Sequence, residues 1–400
     1  MTNGAIETSG VSATKSALAS LFMVVFLDNL GFAIVVPYLF FYVDDLGGSP
    51  FLYGVLLASY SLMSFIFTPT VARLSDRVGR RKILLFGLAL SSTSYVIFGS
   101  AQAVWVLFLG RMLAGTTAAT VPVAQAYVAD VTTPNKRLRY LGLLGAAAGI
   151  AFIFGPAIGG TLSDLFGYGL PSFLSASLAF VNLVVAYFRL PEPSSFNIKR
   201  TAIPFAALLN VLKKRRIALL LSIYFLFFVA FVFLQAALSP WLQAVFGFGS
   251  LQAGLVFFFV GGVSVFTQAV LLPTLNKKIS QMQLTLISMG VFILGLLILA
   301  TIQDLAFLFP VVAAISFGFG MQFVTFNTLI SLNTPENAQG GTLGFAWAIA
   351  GLAQTIAPVL ATIAFSFGAS IGFEGLAFIV SAAISVATVA LILSFKKATD

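Results

Sequence analysis

The positively charged residues of this chain lie on alternate connections between long apolar segments. Of the 21 Lys and Arg residues, only Arg111 lies well inside such a segment, away from its ends. Membrane insertion produces this bias, because short cytoplasmic loops carry an excess of Lys and Arg. The charge placement therefore predicts a multi-spanning helical membrane protein with both termini in the cytoplasm.

The composition excludes an ordinary soluble domain. Hydrophobic residues make up 60% of the 400 and charged residues 8%, whereas soluble domains carry about 25% charged residues. The net charge of +9 comes from short clusters beside the apolar segments. Such clusters are typical of contacts with anionic lipid headgroups. We therefore expect the lipid bilayer as a partner and no nucleic acid.

The sequence has neither Cys nor His. Disulfides, thiolate chemistry, imidazole acid–base catalysis and most transition-metal sites are thereby excluded. Any proton chemistry must use carboxyl groups. We expect no metal, no cofactor and no enzymatic activity, because a membrane enzyme would need catalytic groups clustered near one membrane face.

Apolar stretches long enough to cross a bilayer recur along the whole chain, since a transmembrane helix needs about 20 mainly apolar residues. Twelve are predicted, at 16–42, 51–73, 83–101, 103–128, 138–162, 170–190, 217–244, 251–274, 283–301, 305–332, 342–367 and 373–395. The predicted fold is an all-α membrane protein with two six-helix bundles. The domains are a cytoplasmic tail (1–15), an N-terminal bundle (16–190), a cytoplasmic linker with an interfacial helix (191–216), a C-terminal bundle (217–395) and a second tail (396–400).

The two halves of the chain share a pattern of Gly and Pro. The interval from Gly142 to Pro156 equals that from Gly344 to Pro358. Parallel six-helix repeats around a central site are typical of secondary transporters, in which one half rocks against the other. Chance matching of Gly and Pro, which are common in membrane helices, is the alternative.

Two charged residues lie well within the predicted spans, Asp28 and Arg111. Placing a charge in the hydrocarbon region of a bilayer costs several kcal/mol of free energy, so a charged residue there indicates a functional role. Asp28 lies roughly 18 Å from one end of its span and Arg111 roughly 12 Å from the opposite face, so in a core of about 30 Å the side chains can meet. We predict that Asp28 carries a coupling proton, with Arg111 or a substrate stabilising its ionised form. A permanent ion pair between the helices is the alternative.

Polar and aromatic residues near mid-span are candidates for a substrate cavity. They are Asn29, Phe32, Gln235, Gln322, Phe323 and Gln354. Hydrogen bonding between helices is the alternative for the amides, because it is their commonest use in membranes.

Two further motifs are rich in charge or in small residues. The stretch from Arg73 to Lys82, at the connection between the second and third spans, has one acid among five cations. It is predicted to form a cytoplasmic latch, with Asp76 facing the N-terminal end of the helix that begins near Gly341. The latch residues here are Asp76, Arg77, Gly79, Arg80 and Arg81.

The fifth span concentrates Gly149, Gly155, Pro156, Gly159 and Gly160. Small residues and Pro predict close helix approach and a bend, and an ordinary packing face is the alternative.

Together these segments resemble the major facilitator superfamily, and within it the twelve-helix drug:proton antiporters. The latch loop is similar to the family's loop signature, with Ala72 in place of its first Gly, and Asp130 looks like the acid paired with that loop. Residues 107–119 are similar to the helix-4 signature, whose Arg is implicated in proton transfer. Residues 149–160 are similar to the helix-5 antiporter signature. Residues 53–160 most resemble tetracycline efflux proteins, and the first span also resembles vesicular amine transporters; Asp28 matches the helix-1 acid of both.

The resemblance implies a proton-coupled antiporter that exports small amphipathic organic molecules, cations among them, by alternating access. The proton gradient would be its energy source. A metabolite symporter or facilitator of the same fold is the first alternative, and a non-transporting membrane sensor is the second. Tetracycline itself is a doubtful substrate, because Ser94 and residues around Gly290 stand where tetracycline exporters have further membrane acids. We expect a monomer in the plasma membrane.

Overall fold

The computed structural model describes residues 3–192, 215–334 and 339–397. Over these residues the chain forms α-helices and one π-helical turn, with no β-strand. The all-α prediction is confirmed. The interfacial helix predicted within 191–216 lies almost wholly outside the described residues, and the division into tails and six-helix bundles stays a prediction.

The helices, in chain order, are α1 (Asn3–Val35), α2 (Leu39–Asp45), α3 (Pro50–Val78), α4 (Arg80–Gly99), α5 (Val104–Thr116), α6 (Thr120–Val131), α7 (Pro134–Phe166), α8 (Gly169–Arg189), α9 (Arg215–Phe246), α10 (Ser250–Phe266), α11 (Leu272–Leu275), α12 (Gln281–Leu299), α13 (Leu305–Leu332), α14 (Gln339–Ser370) and α15 (Leu376–Lys397). The π-helical turn, Thr267–Leu271, joins α10 to α11. Within the described ranges, twelve helical segments are long and apolar enough to cross a membrane. Helices suit this environment because each backbone polar group is satisfied within its own segment.

The first predicted span is not one continuous helix. Its membrane-crossing part, Ala17–Val35, belongs to α1, and α2 begins only at Leu39. Pro37 lies between the two helices. Because Pro has no N–H to donate to the preceding turn, it ends a regular helix.

The fourth predicted span is interrupted as well, at residues 117–119 between α5 and α6. The hydroxyl of Thr116 donates to the Leu113 carbonyl oxygen at 2.7 Å, and that of Thr117 donates to the Ala114 carbonyl oxygen at 2.8 Å. Threonine side chains that bond to the backbone in this way compete with regular helical hydrogen bonds. The interruption therefore falls where threonines cluster.

The helices divide between two compact units. Unit 1 comprises Met1–Tyr38 and Met63–Arg200, and unit 2 comprises Leu39–Leu62 and Thr201–Asp400. Residues 39–62, which the sequence assigns to the N-terminal bundle, thus pack with unit 2.

In unit 1, α1 packs against both α7 and α8. Two buried side chains of α8 reach the backbone of α1: the Asn182 amide donates to the Val24 carbonyl oxygen at 3.0 Å, and the Ser175 hydroxyl donates to the Gly31 carbonyl oxygen at 3.1 Å. These bonds satisfy polar groups that would otherwise lie unpaired in an apolar interior. They fix α8 along the part of α1 that carries Asp28.

In unit 2, α9 packs against α14 and α15. The Ser381 hydroxyl of α15 donates to the Ala230 carbonyl oxygen of α9 at 2.7 Å. Residues 39–62 join this unit through α2, where the Gln243 amide donates to the Asp44 carboxylate at 3.1 Å. They also join it through α3, where a Cβ added at Gly54 would lie 2.8 Å from the Pro358 carbonyl oxygen of α14.

Candidate functional site

Asp28 and Arg111 contact different partners within the same region of unit 1. The Asp28 side chain, on α1, hydrogen-bonds to Thr120 at the start of α6. Arg111, on α5, is 4% exposed, and its guanidinium carbon lies 5.6 Å from the centre of the Phe32 ring. Phe32 follows Asp28 by four residues, so the two lie on the same face of α1. The structure therefore brings the predicted acid and guanidinium to one region, where α1, α5 and α6 meet.

The Arg111 guanidinium contacts the aromatic rings of Phe32 and Phe98. In addition to Phe32, the Phe98 ring of α4 has its centre 5.4 Å from the guanidinium carbon. Cation–π contacts of this kind stabilise a desolvated cation by about 2 kcal/mol. That is comparable to the roughly 3 kcal/mol that insertion scales assign to an Arg at the centre of a membrane helix. Phe32 also meets the Phe152 ring of α7 edge-on, at 6.0 Å between centres, so Phe32 links the guanidinium to α7.

Asn29 takes a local role in this structure. Its amide donates to the Val25 carbonyl oxygen at 2.7 Å, within α1 itself. The Asn29 amide nitrogen therefore bonds within its own helix and not to a neighbouring helix.

The other predicted cavity residues lie in unit 2, on three different helices. Gln235 on α9 and Gln354 on α14 are half-buried. Gln322 on α13 is 0% exposed, and neither its amide nitrogen nor its amide oxygen has a hydrogen-bond partner among the described residues. A buried amide without hydrogen-bond partners costs about 1–3 kcal/mol of stability. A ligand, a water molecule or a second conformation of Gln322 would supply the missing hydrogen bonds.

Phe323 lines an open cavity of about 430 Å³ in unit 2. The wall also includes Asn327, Thr328, Ser331 and Trp347. The Phe323 and Trp347 rings lie 5.8 Å apart between centres, in an edge-on arrangement. The cavity is thus amphipathic, with rings on one part of its wall and hydroxyl and amide groups on another.

An aromatic cluster between α9 and α13 adjoins this cavity, and the sequence prediction did not include most of it. Its best stacked pair is Phe231 with Phe319, at 3.7 Å between ring centres. The other members are Tyr224, Phe227, Phe228 and Phe326. The spacing of three and four residues on both helices is a signal that could have revealed it, because such residues share one helix face.

The predicted latch loop is organised by Arg80. Arg80 is 6% exposed; it forms an ion pair with Asp76, and its Nε lies 3.1 Å from Asp130 Oδ2 on α6. Its Nη1 also donates to the Ser75 hydroxyl at 2.5 Å. Arg80 therefore joins the end of α3, the start of α4 and the end of α6, whereas Arg77 is exposed.

Gly79 and Arg81 contact a residue that the sequence prediction missed, Glu192. The Gly79 φ angle is 114°, a conformation that favours Gly, and a Cβ added there would lie 2.8 Å from the Glu192 carboxyl carbon. The Arg81 backbone N–H donates to Glu192 Oε1 at 3.4 Å, and its guanidinium donates to the Tyr187 carbonyl oxygen at 2.6 Å. The loop thus binds the end of α8. The contact predicted between Asp76 and the helix near Gly341 stays a prediction.

The glycine motif of α7 lies against α1. A Cβ added at Gly155 would lie 3.0 Å from the Ala33 carbonyl carbon, and one added at Gly159 would overlap the Ile34 carbonyl oxygen. Gly160 is also buried, Gly149 is half-buried, and Pro156 lies inside the helix. Close helix packing therefore accounts for two glycines of the motif at least.

The described residues form twelve helices that are long and apolar enough to cross a membrane, and unit 1 holds the Asp28 carboxyl and the Arg111 guanidinium in one region. These features are those of an integral multi-pass membrane protein of the transporter class. The profile of the Major Facilitator Superfamily matches residues 21–358. The chain belongs to this superfamily, and the resemblance predicted from its motifs is confirmed.

Similar proteins support the assignment to the superfamily. The "Tetracycline resistance protein, class C" of Escherichia coli is 30% identical over 380 residues, which cover 93% of this chain and 95% of that protein. The "Multidrug resistance protein 1" of Bacillus subtilis is 27% identical over 358 residues, which cover 87% and 89%. A bacterial homologue of the human lysosomal transporter Spinster has the same fold, with a TM-score of 0.80 at 14% identity over 96% of this chain and 97% of that one. The predicted membrane transporter is thereby confirmed.

Proposed function

We propose that the protein is a proton-coupled antiporter that exports small amphipathic organic molecules, cations among them, by alternating access. The observation that carries the proposal is the Asp28 carboxyl, which lies inside a membrane span, bonds to Thr120 and shares a helix face with the ring that Arg111 contacts. Ionisable groups in such positions mark ion or substrate paths. The relatives named for tetracycline and multidrug resistance support the substrate class.

Asp28 alternates between a protonated and an ionised form in this mechanism. The ionised carboxylate accepts the Thr120 hydrogen bond and attracts a cationic substrate. Uptake of a proton from the outer side removes that charge, and the substrate is released. Loss of the proton to the cytoplasm then restores the binding form. Arg111 stabilises the ionised form through its positive charge.

The remaining parts of the proposal rest on the charge distribution and the family. Lys and Arg residues on alternate connections support two cytoplasmic termini, and efflux supports a plasma-membrane location. The protein works as a monomer without a cofactor or enzymatic activity, and the proton gradient supplies its energy.

Transport by the purified full-length protein in liposomes tests the proposal, with ethidium as the probe. An acidic lumen drives ethidium uptake by the wild-type antiporter. Asp28→Asn keeps the site in the uncharged form that releases the substrate, so it loses this pH-driven uptake and also slows ethidium counterflow, which still requires the substrate to bind. Asp164→Asn, which changes an exposed acid near the end of α7, behaves like wild type.

Two outcomes contradict the proposal. Equal pH-driven uptake by wild type and Asp28→Asn would remove the coupling role of Asp28. Wild-type counterflow that is indifferent to the pH gradient would indicate a facilitator of the same fold.

A further inference from the structure

The side chain of Thr120 bonds to two different acceptors in unit 1. Thr120 is 4% exposed and is the first residue of α6. Its side chain hydrogen-bonds to the Asp28 carboxyl of α1, and its hydroxyl also donates to the Thr117 carbonyl oxygen at 3.2 Å. A threonine hydroxyl has only one hydrogen. Asp28 and Thr117 therefore compete for the same donor.

The Thr117 carbonyl belongs to the interruption at residues 117–119, between α5 and α6. The backbone N–H of Thr120 donates to this carbonyl at 3.3 Å, so both bonds of Thr120 to it come from α6. The Thr117 hydroxyl lies 2.8 Å from the Ser91 hydroxyl of α4. Thr117 is thus held to α4 through its side chain and to α6 through Thr120.

The protonation state of Asp28 decides which acceptor receives the Thr120 hydrogen. An ionised carboxylate is an acceptor only, and a hydrogen bond to it is about twice as strong as one to a neutral carbonyl. The ionised form therefore draws the Thr120 hydrogen away from the Thr117 carbonyl. A protonated carboxyl has an O–H of its own. It donates to the Thr120 oxygen, and the Thr120 hydrogen then turns to the Thr117 carbonyl.

Few ionisable groups lie near Asp28 in the described part of unit 1. Arg111 of α5 contacts Phe32, on the same face of α1 as Asp28, and the Tyr95 ring of α4 lies 3.4 Å from a Cβ added at Gly31. On α6, α7 and α8, which pack against α1, the described ionisable side chains lie towards the helix ends: Tyr127, Asp130, Lys136, Arg137, Arg139, Tyr140, Asp164, Tyr187 and Arg189. Arginine stays charged and tyrosine stays neutral at physiological pH. In this region, Asp28 is therefore the described group whose charge can change.

We infer that Thr120 is a positioning residue that relays the protonation of Asp28 to the interruption between α5 and α6, which gains a hydrogen bond when Asp28 is neutral and loses it when Asp28 is ionised. The inference rests on the proposed function, in which Asp28 exchanges a proton, and names the element that responds to the exchange. Arg111 lies on α5, before the interruption, and Thr120 lies after it. The ionised form of Asp28 therefore loosens the joint between the helix that carries Arg111 and the helix that begins beside Asp28.

The absence of Cys from the chain allows a direct test with single cysteines. The reporter is Ala118→Cys, at a half-buried position inside the interruption, and the matched control is Ala89→Cys, at a half-buried position inside the continuous helix α4. Asp28→Asn stands in for the protonated acid, because an amide is uncharged and has N–H donors. The full-length proteins are reconstituted in bilayers and labelled with methyl methanethiosulfonate at one alkaline pH, at which the native acid is ionised.

We expect Asp28→Asn to slow labelling of Ala118→Cys at least threefold, because the interruption is tightened. The slowing should persist with Thr120→Ser, which keeps the hydroxyl, and vanish with Thr120→Val, which lacks it. Labelling of Ala89→Cys should not respond to Asp28→Asn. Slowing of the same size with Thr120→Val overturns the relay, because the hydroxyl would then not carry the effect. Absence of slowing with native Thr120, or equal slowing at Ala89→Cys, overturns it as well.

Hydrogen exchange gives a second measurement, which needs no change at Thr120. The backbone amides of residues 117–123 should exchange at least threefold more slowly in Asp28→Asn than in wild type at the same pH, whereas those of residues 85–91 in α4 should exchange equally. Equal exchange at residues 117–123 contradicts the relay. Neither measurement uses transport. A response of the interruption to Asp28→Asn without pH-driven ethidium uptake by wild type would therefore keep the relay and reject the proton-coupled function, and the reverse result would reject the relay alone.

Discussion

The Nε atom of Arg80 lies 3.1 Å from Asp130 Oδ2, although the two residues are 50 positions apart in the chain. The same guanidinium pairs with Asp76, and both Arg80 and Asp130 are largely shielded from solvent. A buried cation between two acids ties together the helix ends that carry them. The latch loop is therefore first of all a structural junction of unit 1.

Arg80→Gln removes the positive charge from this junction and, with it, the ion pairs to Asp76 and Asp130. We expect the free energy of unfolding to fall by about 3 kcal/mol, because loss of one partner of a buried ion pair is strongly destabilising. Thermal or denaturant unfolding in detergent measures the change. Arg77→Gln, at an exposed position of the same loop, is the control and should change stability little. Equal losses in the two variants would show that Arg80 acts only as a general surface charge.

Gly159→Ala introduces a methyl group against the Ile34 carbonyl oxygen of α1. Overpacking of this kind costs about 1–3 kcal/mol, so the variant should unfold at a lower temperature. Gly145→Ala in the same helix meets open space and should be neutral or stabilising by up to about 1 kcal/mol, since Ala favours a helix. Similar unfolding temperatures for the two variants would contradict the close approach of α7 and α1.

Gln322→Leu replaces a buried amide that lacks hydrogen-bond partners among the described residues with an apolar side chain of similar size. Stability should stay level or rise by about 1 kcal/mol, because an unsatisfied buried group is removed. Transport of ethidium should fall if the amide serves the substrate. Asn182→Leu is the contrasting variant: its amide donates to Val24, so its loss should destabilise the protein. A large loss of stability in Gln322→Leu would mean that the amide has a structural partner.

Phe32→Leu removes one of the rings that contact the Arg111 guanidinium. The loss of a desolvated cation–π contact should lower stability by about 2 kcal/mol, and Phe32→Tyr should restore most of it because the ring is kept. Unfolding measurements on the two variants give the comparison. If Leu and Tyr were equally tolerated at position 32, the ring would have no electrostatic part in holding Arg111.

The number of spans and the family could be predicted from the sequence because the bilayer sets the length of each helix and the positions of the charges. Depth along the helices also indicated that Asp28 and Arg111 could approach one another. In the structure, Arg111 lies over Phe32, four residues from Asp28. Each of these inferences depends on the length of a single helix and on the position of a residue along it.

What could not be predicted depends on contacts between distant parts of the chain. Glu192 lies beside Gly79 and Arg81, more than a hundred residues earlier, and nothing in its own surroundings in the sequence distinguishes it. Residues 39–62 pack with unit 2 because of contacts such as that of Gly54 with α14. The interruption at residues 117–119 was missed because threonines are tolerated in membrane helices, and only their backbone hydrogen bonds show the local break.

The close contact of Gly155 and Gly159 with the backbone of Ala33 and Ile34 has a consequence for Asp28. Because α1 is held to α7 by these glycines and to α8 by Asn182 and Ser175, it has little freedom to slide or rotate within unit 1. The Asp28 carboxyl therefore keeps a fixed position relative to α7 and α8. Hydration of Asp28 must change through side-chain rotation or through the movement of other elements past a stationary acid.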